Sequence, residues 1–549
     1  MKKTLQILLI AVLCICGYNA QAQMSYGGEP YSFKHRTTLS MNIPTIEFEA
    51  LDAEALLAED ASIEGKNHAL RIGVTKDVLY TNDNSGRVDV LPNGDKIWRL
   101  AFHMDEATFT SMNFSKFEIP DGAELFFYTP DEEYVIGKFT NKNKMEDGTF
   151  YPQELPGEDI VIEYYEPAHA AFHGQLTIDQ ISQGYYDFFH IKDLKGGLGN
   201  AEGNCHPNAI CQDANWHDQI RSVVCYTMTS GQYVYMCSGA MVNNTARDGK
   251  KYLLSANHCY EAGTWKFYFN YQATTCTGTN GTTLQSATGY TLKAKDDGDA
   301  SSDFMLVEIT GAINPNFNVF LAGWDNSASQ TASLNSATSC GAIHHPGGDI
   351  KKFSIPQTLR NGAMVYSNMS KYWVTTWATS TGATEQGSSG SPLFNKNKLI
   401  IGQLYAGSSS CSSPSGEDFY GKLSNSWLNS NASSNSKKLK PWLDPNNSGA
   451  TSLQGEYLNT VGLTNYTQVV NALEVFPNPS NGMVTIQGNF TGNSGLCNVY
   501  DMMGNIVMSS EINLAPEFNL NVSNLSNGMY LIEINDNSNI SRTKIIISK

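Results

Sequence analysis

Short apolar runs separated by turn residues recur along most of the chain, and polar positions alternate with apolar ones in many of them. A period of two is typical of half-buried β-strands, whereas helical periodicity is scarce here. We therefore predict a mainly β protein. The clearest predicted strands lie at Lys96–His103, Leu125–Tyr128, Val161–Tyr165, Tyr252–Leu254, Phe304–Ile309 and Leu399–Leu404.

Composition divides the 549 residues into five segments, because a chain of this length exceeds one ordinary domain. Residues 1–22 are a leader, and residues 23–195 form a β-rich domain that contains no cysteine and closes on the Gly-rich stretch Lys195–Gly199. Residues 196–455 contain most of the cysteines and predict an all-β barrel or sandwich. A polar linker, residues 456–472, precedes a small domain of alternating strands at residues 473–549.

The leader has the features of a secretory signal peptide. Lys2 and Lys3 are positively charged, Leu5–Cys16 is apolar, and Ala20-Gln21-Ala22 offers small residues for cleavage. This apolar run is too short to span a bilayer comfortably, and no later stretch is long and apolar enough. We predict an exported chain without a transmembrane segment.

Net charge and cysteine content narrow the possible partners of the protein and indicate its redox compartment. The formal net charge of -17 argues against a nucleic-acid partner, since phosphate binding needs a basic surface. Hydrophobic residues make up 41% and charged residues 16%, a balance that supports a buried core. Of eleven cysteines, eight lie between Cys205 and Cys411, and export to an oxidising compartment favours disulfides there. Cys497 is left over near the C-terminus.

A candidate nucleophile lies in Gly387-Ser388-Ser389-Gly390-Ser391-Pro392. Serine needs a general base and a site for the developing oxyanion before it reacts at neutral pH. Flanking glycines let the chain turn sharply, so that the backbone N–H groups of Gly387 and Ser389 can form an oxyanion hole. Serine- and glycine-rich loops without any catalytic role are also common.

Two further residues complete a candidate triad. His258 follows the apolar run Leu253-Leu254 and precedes Cys259, which could form a disulfide with Cys237 upstream. Asp303 opens an apolar strand and offers a carboxylate that can fix the imidazole tautomer. The order His, Asp, Ser is that of the chymotrypsin class of triads.

The segment at residues 200–450 resembles the lysyl endopeptidase branch of the chymotrypsin-like serine proteases. The motifs that carry this resemblance are Val242-Asn243-Asn244-Thr245-Ala246, Phe320-Leu321-Ala322-Gly323-Trp324-Asp325, Ile343-His344-His345-Pro346, Thr384-Glu385, Gly402-Gln403-Leu404, Ser409-Ser410-Cys411-Ser412 and Trp442-Leu443-Asp444-Pro445. It implies two β-barrels with the active site between them and cleavage of protein and peptide substrates after lysine. His258 is then the general base, Asp303 its orienting partner and Ser389 the nucleophile.

The resemblance also implies a specificity residue and a set of disulfides. The family's specificity aspartate lies two residues before a Tyr-Gly pair, which selects Asp418 and leaves Glu417 as the alternate. The implied disulfides are Cys205–Cys411, Cys211–Cys276 and Cys237–Cys259. Cys225 and Cys340 are additional in this chain and are candidates to pair with each other.

Three positions depart from related proteases or invite another interpretation. Trypsin-type enzymes have aspartate immediately before the nucleophile to receive a newly formed N-terminus. Here that position is Ser388, so we expect activation without an N-terminal ion pair. Tyr405 stands where some relatives have histidine, and no auxiliary role is carried over to it. His344-His345 suggests a metal site, but a His-His pair before proline is more often structural, and we predict neither metal nor cofactor.

The terminal segments complete the predicted architecture. Phe476-Pro477-Asn478-Pro479, Met503-Gly504 and Gly528-Met529-Tyr530 resemble the type IX secretion system sorting domain, which we expect to be a small β-sandwich. Residues 23–195 resemble the propeptides of the same proteases. The resemblance implies a self-processing precursor, cut at Lys195–Gly196 or near Lys192, exported through the periplasm and then secreted or held at the cell surface by the type IX machinery. The alternatives are arginine or glutamate specificity, or a catalytically silent binding module.

Overall fold

The computed structural model describes residues 28–549 except for 36–38, 63–67, 188, 190–204, 280, 297–301, 329–338, 363–368, 379–380, 430–432, 459–472, 489, 491–493, 501–505 and 536–539. The predicted leader and the predicted cleavage positions Lys192 and Lys195 lie outside the described residues. The chain forms two compact units, Met1–Val461 and Gly462–Lys549. Within the described ranges, no helix has the length and apolar character needed to cross a membrane.

The leading segment is built mainly of strands. Its helices are α1 (Tyr31–Lys34) and α2 (Ala53–Ser62), and its strands are β1 (Thr45–Phe48), β2 (Leu70–Thr81), β3 (Arg87–Val90), β4 (Lys96–Met104), β5 (Phe109–Glu118), β6 (Glu124–Tyr128), β7 (Val135–Phe139), β8 (Leu155–Pro156), β9 (Asp159–Glu166) and β10 (Gln175–Gly184). One sheet has the order β1-β4-β9-β6-β7, with β3 also on β4. Phe102, Phe114, Phe127 and Phe150 are fully buried in its core, where aromatic side chains remove much apolar surface from water.

The cysteine-rich segment begins with helix α3 (Asp213–Ser222), which the sparse helical pattern did not predict. Burial of Trp216 and Ile220 holds this helix against both barrels. A first barrel follows, built from β11 (Val223–Ser230), β12 (Tyr233–Val242), β13 (Tyr252–Ala256), β14 (Thr264–Phe269), β15 (Ser286–Thr288), β16 (Tyr290–Lys295) and β17 (Phe304–Ile309). Its strand order is β15-β14-β11-β12-β13-β17-β16, and its large aromatic and β-branched residues fill the interior.

A second barrel-like sheet of nine strands contains the predicted nucleophile loop. The remaining elements of this segment are β18 (Phe320–Leu321), β19 (Trp324–Asp325), β20 (Gly341–His344), β21 (Lys352–Ser354), β22 (Pro356–Asn361), β23 (Tyr372–Trp377), β24 (Pro392–Phe394), β25 (Ile400–Gly407), β26 (Asp418–Lys422), α4 (Leu423–Leu428), α5 (Lys440–Leu443), β27 (Ser452–Leu453) and β28 (Glu456–Tyr457). The sheet runs β21-β20-β24-β25-β26-β23-β22, with β19 paired to β25 and β27 paired to β19. The prediction of a mainly β, barrel-containing fold is confirmed.

The leading segment is continuous with the first barrel. Strand β2 pairs antiparallel with β12, with Leu70 opposite Met236 and Val74 opposite Tyr233. Side chains of both segments share one buried cluster, which includes Leu70, Ile72, Phe109, Cys225, Val234 and Met236. A buried ion pair joins Glu154 to Lys266 at 3.1 Å. The two segments therefore fold as one body, which local sequence patterns do not reveal.

The C-terminal unit consists of two small sheets. Its strands are β29 (Glu474–Phe476), β30 (Met483–Gln487), β31 (Ser494–Tyr500), β32 (Ile506–Asn513), β33 (Glu517–Asn521), β34 (Gly528–Asn535) and β35 (Ile540–Ile547). The sheets run β29-β30-β33 and β32-β31-β34-β35. Val484 and Ile486 of one sheet pack with Val499, Ile532 and Ile545 of the other, which makes a small sandwich.

Candidate active site

His258 and Asp303 are brought together by two paired strands of the first barrel. β13 and β17 are antiparallel, and their register places Ala256 opposite Phe304. His258 lies in the single turn that follows β13, and Asp303 immediately precedes β17. The apolar strand residues fix the register because their side chains fill the barrel, and the two polar residues project where the strands end.

The geometry of this pair fixes the state of the imidazole. His258 Nδ1 lies 2.6 Å from Asp303 Oδ2, and the His258 backbone N–H donates to Asp303 Oδ1 at 3.0 Å. The Asp303 backbone N–H in turn donates to Asp296 Oδ2 at 3.0 Å. Nδ1 therefore carries the proton toward the carboxylate, and Nε2 is left as the basic nitrogen.

Ser389 lies in a loop that both barrels hold in place. Its carbonyl accepts from Ser238 N–H of β12 at 2.9 Å, and the Ser238 hydroxyl donates to the Gly387 carbonyl at 2.8 Å. On the other side, Gly390 N–H donates to the Leu404 carbonyl of β25 at 2.9 Å. Gly387 has φ +83°, a left-handed conformation that glycine adopts without strain.

The leading segment covers this loop. Leu70 of β2 packs beside Gly387, at 3.4 Å from the position a Cβ would take there. His68 Nε2 lies 3.2 Å from Gln386 Nε2, and Ser389 is fully buried. His258 Nε2 has no hydrogen-bond partner among the described residues, so the contact from base to nucleophile is not closed in this covered state. Catalytic hydrogen bonds often tighten only when substrate is bound.

Asp418, the predicted specificity residue, is fully buried at the start of β26. Its Oδ2 accepts hydrogen bonds at 2.6 Å from Trp377 Nε1, Thr384 Oγ1 and Ser409 Oγ. Its Oδ1 accepts from Ser409 N–H at 3.2 Å. A Cβ at Gly407 would collide with Oδ1, so only glycine at this position leaves room for the Asp418 carboxylate. Thr384 ties the carboxylate to the same loop that carries Ser389.

Several residues around the site were not assigned roles from the sequence. Trp377 was not singled out, whereas Thr384 and Ser409 appeared only within family motifs. Tyr405 lies against His258, with ring centroids 6.2 Å apart, and stacks on Tyr372 at 5.0 Å. Burial, with Asp303 nearby, raises the pKa of Tyr405, so its hydroxyl stays protonated. The sequence signal for Tyr405 was its position immediately after the family motif Gly402-Gln403-Leu404.

The cysteines and histidines also have defined surroundings. Disulfides join Cys205 to Cys411, Cys211 to Cys276 and Cys237 to Cys259. The open question about the two additional cysteines is answered, because Cys225 and Cys340 are not joined to each other. Burial raises the pKa of Cys340 to about 11 and that of Cys225 well above its usual value, so neither thiol is a ready nucleophile.

His344 and His345 do not converge on a common point. His344 bonds to two serine hydroxyls, whereas His345 Nδ1 bonds to the Asp349 carbonyl at 2.8 Å. Burial lowers the pKa of His345 to about 3, which keeps that ring neutral. In the described ranges, groups of possible metal ligands occur at Cys205–His206–Cys411, where the sulfurs form a disulfide, and at His103–Asp105–Glu158.

The two barrel sheets, the His258–Asp303 pair and the braced Ser389 loop define the class: the chain is a serine endopeptidase. Residues 199–421 match the family described as lysyl endopeptidase, C-terminal domain, and residues 474–548 match the family described as secretion system C-terminal sorting domain. The protein is thus a lysyl endopeptidase-like serine protease with a secretion sorting tail, and both resemblances predicted from the motifs are confirmed.

Comparisons with individual proteins give the following similarities. The lysyl endopeptidase of Pseudomonas aeruginosa is 27% identical over 324 residues, which span 56% of this chain and 67% of that protein. Among solved structures, a thermostable serine protease AL20 from an extremophilic microorganism aligns at 12% identity over 37% of this chain and 92% of its own, with TM-score 0.28. Protease Anisep of Arthrobacter nicotinovorans aligns at 18% identity over 37% and 90%, also with TM-score 0.28.

Proposed function

We propose that the chain is the precursor of a secreted endopeptidase that cuts on the carboxyl side of lysine. Ser389 attacks the scissile carbonyl while His258 Nε2 takes its proton. Asp303 holds the imidazole in the required tautomer and stabilises the imidazolium that forms. The N–H groups of Gly387 and Ser389 stabilise the tetrahedral oxyanion. The 2.6 Å bond between Nδ1 and Oδ2 supports these roles.

The observation that carries the lysine preference is the buried carboxylate of Asp418. Four of its hydrogen bonds come from neutral donors, three of them on Oδ2. A buried carboxylate is costly unless an opposite charge approaches it. The ammonium of a substrate lysine supplies that charge. Glutamate specificity is disfavoured, because a substrate carboxylate would meet a like charge.

We further propose that the leading segment, residues 23–195, keeps the enzyme latent until it is removed. β2 runs along β12 toward the nucleophile loop, Leu70 packs beside Gly387, and Ser389 is inaccessible to solvent. Self-cleavage after Lys195 or Lys192 would release this cover. Residues 473–549 then direct export across the outer membrane through the type IX machinery, which leaves the enzyme in the medium or on the cell surface.

A cleavage-site profile tests the proposal directly. The mature enzyme is incubated with a mixed peptide library, and the residue preceding each cut is read by mass spectrometry. Cuts confined to lysine support the proposed specificity, whereas equal cutting after arginine would show that the pocket accepts either cation. The Ser389→Ala protein, prepared in the same way, is the blank that excludes a contaminating protease. A wild-type protein with no more activity than this blank would favour the silent-module alternative.

A further inference from the structure

Ser388, the residue immediately before the nucleophile, takes part in a buried hydrogen-bond chain. Its hydroxyl lies 2.8 Å from His344 Nδ1, and the opposite ring nitrogen, Nε2, lies 2.9 Å from the Ser354 hydroxyl. Ser388, His344 and Ser354 are all fully buried. None of these contacts belongs to the triad, the oxyanion donors or the pocket around Asp418.

The hydrogen bond from Ser354 to Ala383 sets which atom donates in each of the other bonds. The Ser354 hydroxyl donates to the Ala383 carbonyl at 2.9 Å, so its oxygen accepts from His344 Nε2–H. His344 Nδ1 is therefore the acceptor, and the Ser388 hydroxyl donates to it. The Ser388 oxygen then receives the backbone N–H of Glu385 at 3.2 Å. The chain begins and ends on one loop, since Ala383 and Ser388 lie at either end of it.

We propose that His344 is a positioning residue for the catalytic loop. By accepting a hydrogen bond from the Ser388 side chain, the imidazole fixes the peptide groups on either side of Ser388. The N–H groups of Gly387 and Ser389 belong to those flanking residues, and an oxyanion hole works only when its donors are already aimed. This proposal rests on the proposed function, since it assigns His344 to the same reaction.

The chain of bonds also explains why Ser388 can stand where trypsin-type enzymes have aspartate. In those enzymes the aspartate receives a newly formed N-terminus. Here the Ser388 hydroxyl meets an imidazole that is part of the same fold in the uncut chain. The loop is therefore built before processing, and removal of the leading segment uncovers a site that is already formed.

Kinetics on substituted proteins test this role. His344→Phe keeps a buried ring but removes the acceptor, Ser388→Ala removes the donor, and the two are also combined. His344→Asn restores an acceptor close to the position of Nδ1. His345→Phe is the matched control, because its ring stacks on Tyr271 and neither of its ring nitrogens bonds to Ser388. Each protein is made as the full chain and processed with immobilised wild-type enzyme before kcat and KM are measured on a lysyl peptide amide.

We expect His344→Phe and Ser388→Ala each to lower kcat by roughly 10- to 100-fold, as small misplacements of catalytic groups do. KM should change less than kcat, because neither substituted side chain bonds to Asp418. The double variant should be no worse than either single one, since both remove the same bond. His344→Asn should recover part of the loss, and His345→Phe should match the wild type. A peptide aldehyde, whose adduct places an oxyanion in the hole, should bind more weakly in step with kcat.

The contrary results are equally definite. Folded, disulfide-bonded His344→Phe and Ser388→Ala proteins with wild-type kcat would overturn the proposal, as would an equal loss in His345→Phe. If His344→Phe does not fold, Ser388→Ala decides alone, because it deletes a single oxygen atom. Failure of the proposed function would be recognised separately, since the wild type would then be no more active than the folded Ser389→Ala protein.

Discussion

Glu417 and Asp418 are adjacent in the chain, yet their carboxylates have opposite environments. The Asp418 side chain is fully buried and bonded to Trp377, Thr384 and Ser409. The Glu417 side chain is 44% exposed and pairs at the surface with Arg360. This alternation follows from the strand geometry at the start of β26, where successive side chains point to opposite faces. It favours Asp418 over Glu417 as the anion that receives a substrate lysine.

Asp418→Asn should therefore abolish efficient cleavage after lysine. Leaving the substrate ammonium buried without its anion costs about 3–5 kcal/mol by analogy with broken buried pairs. That corresponds to roughly 10²–10⁴ in kcat/KM for lysyl substrates. Glu417→Gln, the matched control, should have almost no effect, because an exposed pair contributes little. Labelling by a small uncharged sulfonyl fluoride should persist in both. The reverse pattern, with only Glu417→Gln impaired, would mean that the pocket residue is misassigned.

Substitution of the triad should remove turnover without unfolding the protein. Ser389→Ala and His258→Ala should each lower kcat by on the order of 10⁶, because nucleophile and base act as one unit. Asp303→Asn should cost about 10⁴, since an amide favours the wrong imidazole tautomer. Melting temperature and disulfide content, measured alongside, establish that each variant is folded. Substantial peptidase activity in folded Ser389→Ala would exclude this serine as the nucleophile.

Much of this site could be predicted from sequence because its parts are local. His258 and Asp303 each lie at the end of an apolar run, and the predicted strand Phe304–Ile309 has the same bounds as β17. What could not be predicted are contacts between distant segments. The Ser388–His344 bond joins residues 44 apart, and the pairing of β2 with β12 depends on two whole segments meeting. Periodicity identifies a strand and its buried face but does not identify its partner.

Processing should depend on the chain's own activity. If the enzyme cuts after lysine, N-terminal sequencing of the mature form should begin at Gly196, or shortly before it if Lys192 is used. The Ser389→Ala precursor should accumulate uncut when expressed alone. Added wild-type enzyme should then process it, which shows that the cleavage position is intact. Normal maturation of Ser389→Ala in isolation would assign the cut to another protease.

The uncut precursor should react slowly at Ser389. A precursor with Lys192→Gln and Lys195→Gln should remain whole, and its rate of labelling by a small sulfonyl fluoride can be compared with that of the mature enzyme. Because Leu70 packs beside Gly387, Leu70→Ser in this background should speed labelling. Leu79→Ser is the control, since Leu79 lies on the same strand but is 67% exposed. Equal labelling of precursor and mature enzyme would contradict latency by covering.

The C-terminal domain should be dispensable for chemistry but required for export. Deletion from Leu473 onward leaves intact the compact unit that contains both barrels. The truncated chain should therefore process itself and cleave lysyl substrates normally, while remaining inside the producing cell. Fractionation of medium, surface and periplasm provides the measurement. Normal yields of truncated protein in the medium would rule out a sorting role for residues 473–549.

The pairing between β2 and β12 has a consequence for the mature enzyme. If the leading segment is removed, as proposed, residues Tyr233–Met236 lose the partner that now satisfies one side of their backbone. Maturation therefore creates a new sheet edge, and an unpaired edge is a template for any extended polypeptide. This edge leads directly to Ser238, which braces the nucleophile loop. An inhibitor designed as a single β-strand for this edge would imitate strand β2 of the leading segment.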